Sequence, residues 1–410
     1  MSPATQKRLI DAIARCLAVV CLIALIFATF RLFNGADTPF LAFSVMGAAA
    51  VQLANRPRKV EILVTVTLAA ILAAAYMKSG GVFGHFIAAA PIAALAFLGL
   101  ASTLVLGWKA CLDTQDLKPL LLATFCPALV IFTNVALAAT IRFQPQVFDL
   151  YLYRFDGLLG PQVSFTVGRW FANSVVLQDV CFLIYSALPL AEVLILVLFV
   201  RGVRMPANPL ATFVVAGLAG FVLYQVCPGT GPAHVFGPEF PNYPPPSSLP
   251  MQPLQLDDVP RNAIPSLHSA WALLIFWSVR ECKRWIRVAA AVFLALTLLA
   301  TLGLGEHYVI DLVVALPFAA AVLTACKREF PRALALGALT TGWLIYIRFG
   351  LPIASPPPGI AWIAVLVTLA APLVPPGLKI LPKQTQKTPG SYEIPSADKA
   401  ESPPDLLPSR

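Results

Sequence analysis

Long apolar runs separated by short polar turns dominate the chain. The runs cover about residues 13–30, 39–54, 60–77, 85–107, 118–141, 175–200, 208–227, 266–280, 286–304, 307–326, 333–349 and 359–376. A helix needs about 20 apolar residues, at ~1.5 Å rise each, to cross the hydrocarbon core of a bilayer. The pattern therefore predicts an all-α fold, a polytopic membrane helix bundle of about twelve spans.

The runs divide the chain into four predicted parts. Residues 1–117 form an N-terminal four-span extension, residues 118–326 hold six runs, and residues 327–383 form a C-terminal two-span extension. Residues 384–410 are polar and rich in proline and serine. Such a segment buries too little apolar surface to fold, so we predict a disordered tail.

Composition supports a membrane protein and excludes other classes. The chain is 58% hydrophobic and 12% charged, whereas soluble domains carry about 25% charged residues. The net charge of +9 comes from cations in short turns, where they set topology, so we expect no nucleic-acid partner. The eight cysteines form no C-x-x-C pair and indicate small apolar side chains, not a disulfide framework.

The cations mark alternate turns between the runs. They concentrate at Arg56 to Lys59, Arg201 to Arg204, Arg280 to Arg287 and Lys327 to Arg332. Because cytoplasmic loops carry an excess of lysine and arginine, both termini are predicted to be cytoplasmic. The first run resembles a signal sequence, but no cleavage site leads into a soluble domain, so we expect a retained span. The remaining loops face outward, into the periplasm if the protein is bacterial.

Two of these outward loops are long. Residues 142–174 have the apolar and aromatic composition of a segment at the membrane interface, and residues 228–264 are rich in proline. Proline disfavours regular helices and central strands. Long loops without regular structure are usually functional or disordered. We predict that the second loop is a lid, because it ends at a histidine motif.

Two histidine motifs open successive apolar runs. One is Arg261-Asn-Ala-Ile-Pro-Ser-Leu-His268, and the other is Glu306-His-Tyr-Val-Ile-Asp311. Two crossings separate them, so the chain returns to the side of the membrane that it left. We therefore predict that His268 and His307 face each other at one membrane surface.

The residues around both histidines suit phosphate chemistry. Pro265 fits a first helical turn, and the N–H groups from Ser266 onward would then point toward an anion. His307 and Asp311 are spaced i, i+4 and would share a helix face. The carboxylate can hold one imidazole nitrogen and leave the other free to attack. A carboxylate within an apolar span is costly unless paired, which favours function.

These motifs resemble a known family. Pro265-Ser-Leu-His268 and His307-Tyr-Val-Ile-Asp311 are similar to the second and third motifs of the type 2 phosphatidic acid phosphatase superfamily. The leucine in the former is similar to the inositolphosphotransferase (inositol phosphorylceramide synthase-like) branch. Tyr224-x-x-x-Pro-x-x-Gly-Pro232 and Phe155-Asp-Gly-x-x-Gly160 resemble that branch's other two elements. The resemblance covers residues 118–326.

The resemblance implies a six-helix catalytic core and a covalent phosphohistidine. His307 would be the nucleophile, Asp311 its orienting partner, and His268 the acid that protonates the leaving alkoxide. No cofactor or metal is implied, and the substrate would be a lipid phosphate.

The sequence departs from the family where it binds phosphate. The lysine and arginine of the first motif are missing, and Ala300-Thr301 stands where a serine-arginine pair is expected. We therefore name Arg261, Ser266 and Arg154 as candidate phosphate ligands, with Arg169 as a further candidate.

Alternative interpretations remain. Two histidines with an aspartate could bind zinc, although the i, i+4 spacing explains orientation equally well. A lipid or solute transporter would show interrupted helices in two related halves, and no such symmetry is visible. A purely structural scaffold is disfavoured by Asp311. His85 and His234 are interpreted as interfacial and loop residues. The sequence leaves open the lipid, the acceptor, the roles of the outer spans and the oligomeric state.

Overall fold

Helices make up almost all of the regular structure in the computed structural model. It describes Thr5 and residues 38–78, 89–112, 117–246 and 248–373, all within the compact unit Met1–Val374. The all-α prediction is confirmed. The predicted first span, His85 and the predicted disordered tail lie outside the described residues.

The helices follow one another closely along the chain. They are α1 (Thr38–Ala54), α2 (Lys59–Lys78), α3 (Ala89–Leu112), α4 (Leu117–Phe143), α5 (Asp149–Leu159), α6 (Val163–Ala172), α7 (Val175–Ser186), α8 (Leu188–Val200), α9 (Pro209–Tyr224), α10 (Pro232–Phe236), α11 (Leu267–Ser278), α12 (Arg284–Gly303), α13 (Val309–Cys326), α14 (Phe330–Ile345) and α15 (Pro358–Ala370). Single turns at Gly237–Glu239, Tyr346–Gly350 and Ala371–Leu373 complete the helical part.

Six helices in the described part of the chain are long and apolar enough to cross a membrane. They are Lys59–Lys78, Ala90–Leu112, Leu117–Phe143, Arg284–Gly303, Val309–Cys326 and Phe330–Gly350. The number rises to seven if α6 and α7, which are bent by 117°, count as one span. Five further apolar helices, α1, α8, α9, α11 and α15, are shorter. The predicted twelve spans are therefore not shown, whereas an apolar bundle is.

One predicted span is divided, and the loop before it is folded. The run 175–200 forms α7 and α8, which meet at Ala187. Pro189 lies in the first turn of α8, where the N–H that proline lacks would have no acceptor within the helix. The outward loop 142–174 contains α5 and α6, and both are largely buried.

Helix α13 lies at the centre of the part that holds the motifs. It packs against α11, α9, α14, α15 and α5, and most of its residues are buried. The adjacent α11 and α12 form an antiparallel hairpin. The N-terminal end of α11, the C-terminal end of α12 and the N-terminal end of α13 therefore meet at one end of the bundle.

The proline-rich loop is tied to that same end. Strand β2 (Leu254–Gln255) pairs antiparallel with β1 (Gln146–Val147), with Gln146 opposite Gln255. Helix α10, a single turn that starts at Pro232, donates the Ala233 N–H to the Gly305 carbonyl at 2.9 Å. Apart from these short elements the loop is irregular, as its proline content predicts. Its role as a lid stays a prediction.

Candidate active site

His307 is held through one ring nitrogen. Its Nδ1 lies 2.9 Å from the carbonyl oxygen of Ala263 and 3.4 Å from Oδ2 of Asp311. A carbonyl oxygen can only accept, so Nδ1 carries the hydrogen of the neutral ring and Nε2 keeps its lone pair. The side chain is only 2% exposed. The ring is therefore held through Nδ1, and the lone pair of the neutral ring is on Nε2.

Asp311 reaches His307 by a different geometry from the one predicted. His307 precedes Tyr308, the N-cap of α13, so the two residues do not share a helix face. Instead, the Asp311 side chain folds back over the helix start, and Oδ2 accepts the Tyr308 N–H at 2.8 Å. Oδ1 is buried and has no hydrogen-bond partner within the described residues. The predicted contact between Asp311 and His307 exists, but the Asp311 side chain makes it while it caps the start of α13.

His268 lies on the neighbouring helix, as the second residue of α11. Its ring stacks on Tyr185, with centroids 3.8 Å apart, and meets the Phe40 ring edge-on at 5.8 Å. His268 lines the same cavity as Glu306, the residue before His307. The structure therefore brings His268, His307 and Asp311 to one end of the bundle.

The start of α11 differs from the predicted phosphate cradle. Pro265 is not in the helix, which begins at Leu267 with Ser266 as its N-cap. The Ser266 N–H donates to the Asp311 carbonyl at 3.2 Å, and its hydroxyl oxygen accepts from Ser269 N at 3.3 Å and Oγ at 3.0 Å. Ser266 is fully buried. Because these contacts join α11 to α13, its predicted role in binding phosphate is not supported.

The guanidinium of Arg261 is likewise bound by backbone carbonyl groups of the protein. Its guanidinium donates to the carbonyl groups of Gln144 at 2.8 Å and Pro145 at 3.1 Å, and to those of Val259 and Leu256. The residue is 0% exposed. Arg261 therefore anchors the proline-rich loop to the segment after α4, and the geometry gives no support to its predicted phosphate contact.

The other two candidate cations lie on α5 and α6. Arg154 is half-buried on α5. Arg169 is half-buried on α6, where its Nη2 lies 3.4 Å from Oγ1 of Thr166. Their contacts with phosphate stay predictions.

Sequence reasoning missed the role of two buried aspartates on α5. Asp149 accepts the N–H of Thr230 at 3.1 Å and that of Gly231 at 2.8 Å. Asp156 accepts the N–H of Val309 at 2.7 Å and that of Ile310 at 3.1 Å.

Each carboxylate of α5 thus holds a separate motif loop. Burial raises the pKa of Asp149 to about 6 and that of Asp156 to about 8, while the donated N–H groups lower both values. Asp156 stood in a recognised motif, whereas no local pattern singled out Asp149.

His234, interpreted as an ordinary loop histidine, pairs with Glu306, the residue before His307. Its Nε2 lies 3.7 Å from Oε2 of Glu306. The interaction with Glu306 raises the pKa of His234, against the opposing effect of burial. This pair joins the proline-rich loop to the segment that carries His307.

A cavity of about 230 Å³ opens beside His268. Its walls include Glu306, Tyr185, Trp271 and the carboxyl group of Glu192. Among the described residues, neither lysine nor arginine lines it. In the same part of the chain, no group of three His, Cys, Asp or Glu residues is placed to hold a metal ion. The cavity is therefore mostly apolar, with two carboxyl groups and one imidazole in its wall.

Comparison with known proteins gives one match. No curated protein and no solved structure matches the chain. Residues 150–325 match the family model of the PAP2 superfamily, the superfamily of type 2 phosphatidic acid phosphatases. This segment contains His268, His307 and Asp311, whereas Asp149 lies one residue before it. The match and the apolar helices together point to a membrane protein of the phosphatase type. The PAP2 superfamily generally comprises phosphatases and phosphotransferases.

Proposed function

We propose that the protein is an integral-membrane enzyme that transfers a phosphoryl group or phospho-headgroup from a lipid phosphate through a phosphohistidine. The observation that carries this proposal is the fixation of His307 through Nδ1, between the Ala263 carbonyl and Asp311. A nucleophilic imidazole needs one nitrogen held and the other free. The PAP2 match over the same residues supports this chemistry.

The reaction has two steps. In the first, Nε2 of His307 attacks phosphorus, the bond from phosphorus to the ester oxygen breaks, and protonated His268 gives its proton to the leaving alkoxide. Asp311 and the Ala263 carbonyl stabilise the positive charge that develops on the imidazole. In the second step, His268 takes a proton from water or an alcohol, whose oxygen attacks phosphorus and breaks the P–N bond.

The leucine in Pro265-Ser-Leu-His268 supports the inositolphosphotransferase-like branch, in which an alcohol accepts the phosphoryl group or phospho-headgroup.

The basic turns support cytoplasmic termini and an extracytoplasmic active site. The five shorter apolar helices would bring the six long ones to eleven spans, and the predicted first span, outside the described residues, would be the twelfth. A cysteine placed at Tyr243, which is 73% exposed in the proline-rich loop, tests this topology. Reaction with an impermeant thiol reagent only from the cytoplasmic side would contradict it.

The test of the enzyme uses purified protein in lipid nanodiscs. Wild type, His307→Ala, His268→Ala and the control Glu281→Gln are incubated with phosphate-labelled lipid phosphates, with and without inositol or sugar alcohols. We expect acid-labile, base-stable label on the wild type, more on His268→Ala and none on His307→Ala. Turnover by His307→Ala at the wild-type rate would show that His307 is not the nucleophile.

A further inference from the structure

A second cavity adjoins the one beside His268. It has a volume of about 420 Å³ and lies between α4, α9 and α11. Leu129, Thr133, Leu137 and Trp271 line both cavities. About two turns of α4 and the indole of Trp271 therefore form the wall that the two cavities share.

The second cavity opens sideways toward the bilayer. Phe132, Val135 and Leu218 line it and are 61%, 62% and 54% exposed. Large apolar side chains exposed on a membrane helix face acyl chains, because the surrounding solvent is hydrocarbon. This cavity is therefore open to lipid at its outer rim and adjoins the histidine cavity at its inner wall.

The length of the cavity matches one leaflet. Along α9 it extends from Tyr224 to Val214, which is about 15 Å of helix. The hydrocarbon core of a bilayer is about 30 Å thick, so one leaflet contributes about 15 Å. Leu267, the residue before His268, lies at the same end of the cavity as Tyr224. The space thus runs from the level of the histidine toward the middle of the membrane.

We propose that this cavity holds an acyl chain of the lipid substrate, and that Trp271 determines how the chain is seated next to the site. This inference rests on the proposed function and deepens it, because it identifies which part of the substrate the protein recognises. The Trp271 indole N–H donates to the Phe213 carbonyl at 3.3 Å, which fixes the ring.

A small residue leaves the space beside the indole open. A Cβ added to Gly217 would lie 3.4 Å from Cζ2 of Trp271, an ordinary van der Waals contact. Because Gly217 lines the cavity, a larger side chain at this position would occupy part of its volume from α9. Gly217 is therefore the position from which the site can be blocked.

The experiment compares Gly217→Leu with Val222→Leu. Val222 is 62% exposed on the same helix but does not line the cavity. Each protein is assayed in nanodiscs with dioleoyl and dihexanoyl phosphatidic acid. We expect Gly217→Leu to raise KM for the dioleoyl lipid about tenfold, equivalent to ~1.4 kcal/mol, with kcat/KM for the dihexanoyl lipid unchanged. Gly217→Ala should give a smaller effect in the same direction. Equal losses for both lipids, or the same loss in Val222→Leu, would refute the acyl-chain site.

A binding measurement separates this proposal from the proposed function. Phosphatidic acid with a photoreactive acyl chain is crosslinked to the protein, and the labelled peptides are mapped. Labels on α4, α9 and α11 that disappear in Gly217→Leu would support the acyl-chain site, whether or not the wild type turns over either lipid. Absence of turnover by the wild type would refute only the enzymatic proposal. Labels spread evenly over lipid-exposed helices, or unchanged in Gly217→Leu, would show that ordinary membrane lipid fills the cavity.

Discussion

Asp156 and Val309 lie 153 positions apart, yet the carboxylate of Asp156 accepts the Val309 N–H at 2.7 Å. Its other oxygen accepts the Ile310 N–H at 3.1 Å. The first N–H groups of a helix have no acceptor within it. The segment that carries His307 is therefore fixed in place from α5.

Replacement of Asp156 by alanine should loosen this end of α13. Two buried N–H groups lose their acceptor, and each buried donor left unpaired costs about 1–3 kcal/mol. We expect a lower thermal unfolding temperature in detergent and a lower kcat. Glu281→Ala, at an exposed position, is the control. An unfolding temperature equal to that of the control would contradict the capping role.

The substitution Asp311→Asn should separate catalysis from folding. The amide oxygen can still accept the Tyr308 N–H, so the helix start survives, but an amide no longer stabilises a positive imidazole. We expect kcat to fall by roughly 10²–10⁴ with a smaller change in KM. Steady-state kinetics together with the unfolding temperature check this. A large loss of stability would indicate that Asp311 is mainly structural.

The loop held by Asp149 should not tolerate a side chain at Gly231. Its φ is +104°, and an added Cβ would lie 2.4 Å from the Glu306 carbonyl oxygen. Gly202 is the matched control, since its φ is +85° with nothing within 4 Å of an added Cβ. Strained backbone costs ~1–3 kcal/mol at either position, so Gly231→Ala should lose activity and more stability than Gly202→Ala. Equal unfolding temperatures and activities would contradict the close packing at Glu306.

Arg261→Lys distinguishes an anchor from a phosphate ligand. A lysine keeps the charge but cannot satisfy the carbonyl groups that the guanidinium binds, and each buried group left unpaired costs about 1–3 kcal/mol. We expect faster proteolysis of the proline-rich loop and a lower unfolding temperature, with Arg287→Lys, an exposed position, as control. A normal unfolding temperature with a raised KM for lipid phosphate would restore the predicted phosphate contact.

The His234–Glu306 pair should be visible in a titration. The pKa of His234 is raised above its ordinary value by Glu306, so the pair stabilises the fold at acidic pH. This contribution is lost as pH rises through the folded-state pKa. With only four histidines in the chain, ring-labelled histidine can be followed by NMR. Glu306→Gln should lower the pKa of His234, and an unchanged titration would show that the two side chains do not interact.

Local patterns predicted the helical bundle and the meeting of the histidine motifs. Apolar periodicity and the two crossings between His268 and His307 were sufficient for both. The contact between Asp311 and His307 was also expected, although its geometry was not, because sequence spacing does not show where a helix begins. The capping residues Ser266 and Tyr308 set those boundaries.

The roles of buried polar residues could not be predicted in the same way. Arg261 bonds to carbonyl groups more than 100 positions away, and Asp149 bonds to N–H groups more than 80 positions away. Backbone acceptors and donors carry no residue signature, so such partners leave no trace in a pattern. The sequence therefore predicted a phosphate contact for Arg261 and gave no sign of its bonds to backbone carbonyl groups.

The spacing of the two aspartates on α5 fixes the distance between the two backbone segments that they bind. Two turns separate Asp149 from Asp156, and they set the interval between the loop at Gly231 and the start of α13. One inserted residue between them would turn one carboxylate about 100° away from its partner. Length changes are therefore forbidden inside α5, and homologues that vary in length should do so outside it.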